Sequence, residues 1–134
     1  MIVIVDTTVW IDFFAGQESL HVATLESLVR NKDDICICGV ILAEVLQGIR
    51  QEKQYKETKR RFESFIFLPM TRATFLKAAD IYRSLRRKGI TIRKPIDCMI
   101  ASVAIENNIQ LLHNDRDFDP IEKHFSLKTV KHGK

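Results

Sequence analysis

The chain has 134 residues, of which 46% are apolar, 28% charged and 8% aromatic, the size and composition of one compact domain over residues 1–134 with no room for a second. Twenty-one Lys and Arg against 17 Asp and Glu leave a net charge of +4, too small an excess to define a partner by itself. The three cysteines, Cys36, Cys38 and Cys98, have no CxxC or histidine-flanked spacing, which argues against a disulfide framework or zinc finger and makes a reducing cytoplasm the expected home.

The opening MIVIVDTTVW lacks a basic leader, and Asp6 breaks its apolar run after five residues. Neither a signal peptide nor a membrane span is expected, and the mature chain is expected to begin at Met1. Residues 2–5 read as a buried parallel strand with polar residues at its carboxyl end. A short amphipathic stretch over 9–14 stops at Gly16, and Val22, Leu25, Leu28 and Val29 give helical spacing up to Asn31. After the turn signal Lys32-Asp33-Asp34, residues 35–38 form a second apolar run, in which Cys36 and Cys38 read as core residues. Leu42, Val45, Leu46 and Ile49 then mark a helix with one buried face, and it carries Glu44.

A basic helix over 52–65 leads to a third strand over 67–70, where Pro69 suggests a sheet edge. Phe75, Leu76, Ala79, Tyr82 and Leu85 keep helical register over 73–88, with Gly89 as the residue after the helix. Pro95 opens another helix, ending at Asn107-Asn108. Residues 109–112 give a fourth strand, and Val130 with Leu127 before it supplies material for a fifth. Strands alternating with helices, none joined by hairpins, predict an α/β domain with a mainly parallel central sheet of four to five strands and helices on both faces.

In such sheets the site lies beyond the carboxyl ends of the strands. Asp6 closes the first strand and Asp115 follows the fourth, while Asp97 opens the preceding helix and Glu44 is the one charge in GVILAEVLQGI. Each acid alone has a structural explanation: Asp97 suits a helix start, and Asp115 or Asp117 can cap a turn before Pro120. Together they are costly, because converging carboxylates repel unless a cation joins them. All-oxygen sites suit Mg2+ or Mn2+, which can orient a water, lower its pKa and neutralise charge developing on a phosphodiester. Basic residues are segregated: residues 50–61 hold six basic and two acidic, residues 83–94 six basic and none acidic. Near a catalytic site these runs would attract a polyanion; otherwise they are solvated helix faces.

The residues IVDTTVWIDFF, the isolated Glu44 in LAEVLQGI, and IDCMIASVAIENNIQLLHNDRDFDPI resemble, in that order and over nearly the whole chain, the PIN-domain ribonucleases, specifically the VapC-type toxins of toxin-antitoxin pairs. The resemblance implies a single PIN-like domain and a Mg2+-dependent endoribonuclease, with Mn2+ as substitute. It matches Asp6, Glu44, Asp97 and Asp115 to the family's acidic quartet, Asp6 and Asp97 as direct metal ligands, Glu44 and Asp115 completing or orienting the hydrated ion. Thr7 matches a hydroxyl residue that helps place the metal or its waters. His113 stands where many relatives carry Thr or Ser, and either a phosphate contact or a strand-end surface position fits it. Asp117 competes with Asp115 for the fourth acid. Arg86, Arg87, Arg93 and Lys94 are the candidates for holding RNA.

The resemblance also implies transfer RNA or another translation-related RNA as substrate, a homodimer, a VapB-type antitoxin covering the site, contact with DNA only through that complex, and a cytoplasmic location away from membranes. Trp10, Phe13 and Phe14 read either as an apolar surface for that partner or as core. Rival readings are a PIN-fold nuclease of RNA maturation outside a toxin pair, a non-catalytic RNA- or protein-binding module, and a phosphoacceptor receiver domain. The complete quartet opposes the module, and Thr7-Thr8 after Asp6 opposes the receiver.

Overall fold

The computed structural model describes residues 1–131. Its elements run β1 (Ile2–Val5), α1 (Thr7–Phe14), α2 (Leu20–Arg30), β2 (Asp34–Cys38), α3 (Gly39–Gln47), α4 (Glu52–Phe62), β3 (Ile66–Leu68), α5 (Arg72–Arg87), α6 (Pro95–Glu106), β4 (Gln110–Leu112), a 3-10 turn (Arg116–Phe118), α7 (Asp119–His124) and β5 (Lys128–Thr129). The five strands form one sheet in the order β3-β2-β1-β4-β5, and every pairing is parallel. Ile4 lies between Cys36 and Leu111 in the register. Successive strand side chains point to opposite faces, and Val3, Ile4 and Val5 are all fully buried, so both faces of the sheet are covered.

The chain moves outward from β1 in one direction through β2 and β3, then in the other through β4 and β5. The reversal lies between β1 and β4, the topological switch point where open α/β sheets leave a crevice at their carboxyl ends. Helix α6, which leads into β4, is buried around most of its circumference, from Asp97 and Cys98 through Ala104. Among the described residues no helix is long and apolar enough to cross a membrane.

The basic helix ends at Phe62 rather than Phe65, because Phe65 N–H donates to Phe62 O and Ser64 Oγ to Arg61 O in a turn that aims Phe65 at Trp10. Trp10 is fully buried, with ring centroids 4.8 Å from Phe62 and 5.5 Å from Phe65, whereas Phe13 and Phe14 are half-buried against the core. Trp10 is therefore core and not partner surface. β3 is a sheet edge, as Pro69 implies. Cys36, Cys38 and Cys98 are buried free thiols.

Candidate active site

Asp6 stands at the seam between β1 and α1. Its amide donates to Leu112 O at 2.9 Å, extending the sheet by one rung. Its carboxylate caps α1, with Oδ2 accepting from the Thr8 amide at 3.2 Å and from Thr8 Oγ1 at 2.5 Å. These bonds lock a side chain in a residue only 2% exposed. Burial pushes its pKa up, and the Thr8 bonds and the Lys94 charge offset only part of that.

Asp97 arrives from α6. Pro95 at the first helical position leaves Asp97 third, where the free amides and the positive end of the helix dipole favour an acid. It too is 2% exposed, yet its Oδ2 is buried without a hydrogen-bond partner among the described residues. Desolvation raises its pKa; Lys94 opposes this, but Asp6, Asp115 and Asp117 add to it, and the carboxyl is pushed up to about 7.

Beyond β4, Asp115 caps the 3-10 turn, its Oδ1 accepting the Asp117 amide at 2.9 Å. Its Oδ2 meets Lys94 Nζ at 2.7 Å, and the Arg93 guanidinium lies 3.7 Å from Asp115 and 3.2 Å from Asp117. Burial alone would raise the Asp115 pKa, but the Lys94 bond, the Asp117 amide and the two positive charges hold it below the usual value. Oxygens of Asp97, Asp115 and Asp117 lie within 4.8 Å of one another, so both candidates for the fourth acid face the same point.

Glu44 stands to one side on α3, half-buried, accepting from Thr7 Oγ1 at 2.8 Å. Thr7 thus spends its proton on Glu44 and ties α3 to the end of β1. Burial, with smaller contributions from the charges of Asp6 and Glu44, pushes the Cys38 thiol up to about 11 against the Ile41 and Val40 amides.

His113 faces inward. Its Nδ1 accepts the Asp115 amide at 3.2 Å, and its ring lies 4.8 Å from that of Phe118. Burial lowers its pKa against the pull of Asp119, Glu122 and Asp115. A ring accepting through Nδ1 carries no proton there, so His113 holds the backbone of Asp115 as a neutral base. Arg86 and Arg87 are exposed at the end of α5, with Arg86 5.6 Å over the Tyr82 ring. Among the described residues they make no ion pair with the acids, whereas Arg93 and Lys94 do. Sequence reasoning missed Thr8, whose position two residues after Asp6 is the helix-cap signal. It also gave Lys94 only to a polyanion, although the i,i+3 spacing to Asp97 is visible.

A buried orphan carboxylate oxygen beside two further carboxylates is a donor set for a hard cation, and these residues fit one.

The PIN domain family model matches residues 3–123. The chain belongs to the PIN domain family. This PIN domain is 30% identical over 130 residues, 96% of its length and 97% of theirs, to a VapC ribonuclease of Mycobacterium bovis and to ribonuclease VapC11 of Mycobacterium tuberculosis. Its fold is also that of VapBC2 from Rickettsia felis, solved bound to a promoter DNA fragment, with a TM-score of 0.76, 23% identity, and 99% and 100% of the two chains covered.

Proposed function

We propose that this PIN domain is a metal-dependent endoribonuclease and the toxin of a toxin-antitoxin pair. The observation that carries the chemistry is Asp97 Oδ2, a buried carboxylate oxygen with no hydrogen-bond partner among the described residues, on a side chain that clusters with Asp115 and Asp117. The identity to VapC ribonucleases over 96% of the chain supports RNA as substrate, and the VapBC fold likeness supports an antitoxin partner. Asp97, Asp115 and Asp117 would hold the ion, Mg2+ or Mn2+, with Asp6 as a further direct ligand and Glu44 orienting its hydration shell. Bound there, it supplies positive charge that lowers the pKa of a water and neutralises charge developing on the phosphodiester.

The protein's own part is placement. Thr8 and the start of α1 fix Asp6, and the start of α6 fixes Asp97. The neutral His113 ring anchors the Asp115 amide, and Thr7 keeps Glu44 turned to the same end of the sheet. Arg93 and Lys94, at the rim, meet the phosphate backbone, with Arg86 and Arg87 extending that track. Transfer RNA or another translation-related RNA is the substrate class, the enzyme works as a homodimer in the cytoplasm, and DNA is met only through the antitoxin.

The test is single-turnover cleavage of structured RNA. Activity should vanish in EDTA and return with Mg2+ or Mn2+, and Asp6→Asn or Asp97→Asn should lower kcat by at least about a hundredfold, since each removes a charge while keeping shape. Undiminished cleavage in EDTA overturns the metal mechanism.

A further inference from the structure

We propose that Lys94 is a tethered counter-cation of the acidic cluster: its ammonium sits between Asp97 and Asp115 while metal is absent, and a divalent ion must displace it. The inference rests on the metal-binding reading above and adds what competes with the metal. Lys94 Nζ lies 2.7 Å from Asp115 Oδ2 and 3.9 Å from Asp97 Oδ2. The first is a charge-assisted hydrogen bond. The second is too long to be one, so the lysine partly neutralises Asp97 while leaving its buried oxygen without a partner.

The backbone of Lys94 is fixed and its side chain is not. The residue caps α6, its carbonyl accepts the Asp97 amide at 2.9 Å, and Pro95 follows. The side chain is 46% exposed and carries its charge on a flexible four-carbon stem, so it can leave the cluster without disturbing the helix. Arg93, the neighbouring cation, is directed at Asp117 and is 74% exposed. An ammonium and a divalent ion drawn to one carboxylate oxygen in a half-dry crevice repel strongly, so the two occupancies exclude each other. Displacement leaves the ammonium at the solvent side of the crevice, the side from which a polyanion approaches.

The experiment is calorimetric titration of the metal-stripped full chain with Mn2+, with thermal melts in EDTA and at saturating Mn2+. Lys94→Met keeps the stem and removes the charge, and Lys94→Gln is a second variant. Lys88→Met removes a charge on exposed Lys88, just past α5, which makes no ion pair with the acids among the described residues. Both Lys94 variants should bind Mn2+ about tenfold more tightly than wild type, equivalent to about 1.4 kcal/mol, and Lys88→Met should match wild type. In EDTA the Lys94 variants should melt below wild type, and saturating Mn2+ should close the gap. Equal or weaker Mn2+ binding by the Lys94 variants overturns the competition while the metal site stands. Equal tightening in Lys88→Met overturns it in favour of general charge repulsion. Absence of Mn2+ binding in wild type and variants alike overturns the metal reading and this inference with it.

Discussion

At the scale of single residues, Asp97 carries an unusual balance. Its carboxyl is pushed up to about 7 from the ordinary 3.8, so the folded chain holds a proton that the unfolded chain has released over that interval. Below the ordinary value both states are protonated and the residue costs nothing. As pH rises through the interval the metal-free fold loses stability, and above about 7 the loss is complete. At 1.36 kcal/mol per pKa unit the upper bound is about 4 kcal/mol. Asp97→Asn removes this loss but gives up a helix-dipole contribution of roughly 0.3–1 kcal/mol. In EDTA near pH 8 the variant should therefore melt at or above wild type, with the difference vanishing near pH 4; adding Mg2+ should reverse the ranking, because only wild type keeps the full ligand set. If the variant melts well below wild type near pH 8 in EDTA and Mg2+ shifts both equally, Asp97 is a helix-start residue and nothing more. The sequence displays the acids because a charge that closes or interrupts an apolar run is conspicuous. It hides Lys94, because a lysine in a basic run reads the same whether its ammonium faces water or a carboxylate; only the side-chain conformation decides.

At the scale of elements, strands and long helices follow from β-branched runs and 3.6-residue stripes, and their ends follow from capping. Gly89, at φ +81°, closes α5 with its amide on Arg86 O, and the Ile90 amide reaches Leu85 O, the paired C-terminal motif that a glycine at that place announces. Less legible are α7 and the turn before it: six residues, DPIEKH, are too short for a period, and Asp115 and Pro120 signal a turn equally well. The end of α4 is also hidden, because Glu63 and Ser64 continue its polar face while the aromatic cluster, a tertiary effect, draws Phe65 away. That cluster fixes α1, and α1 fixes Asp6. Trp10→Ala should cost about 3–5 kcal/mol, read as a lower urea midpoint at unchanged slope. Trp10→Phe should cost much less, since it keeps most of the packing and removes an indole N–H that is buried without a partner among the described residues. Equal losses from both would mean that the indole's full shape, not general apolar filling, holds α1.

At the scale of the whole molecule, the reversal of strand order gathers the acids, and the same connection distributes the opposite charge around them. The segment from the end of α5 to the start of α6 spans residues 83–94, and its last two residues contact the acids, so the basic run leads along the surface into the crevice. Outside residues 50–61 and 83–94 the chain is net negative, which confines a polyanion's attraction to these tracks. Within the second track the structure separates two roles: Arg93 and Lys94 are paired with carboxylates, whereas Arg86 and Arg87 are exposed and make no ion pair among the described residues. Phosphate contacts release counterions, and for single-stranded RNA each neutralised phosphate adds about −0.7 to the slope of log K against log salt. Replacing Arg86 and Arg87 together by Ala should therefore flatten the slope by about 1.4, measured by fluorescence anisotropy with a short RNA in EDTA, where cleavage is suppressed. Weaker binding at every salt concentration with an unchanged slope would mean that these arginines act through the shape of the α5 end and not by phosphate contact. No change at all would assign them to solvation and leave the phosphate contacts to Arg93 and Lys94.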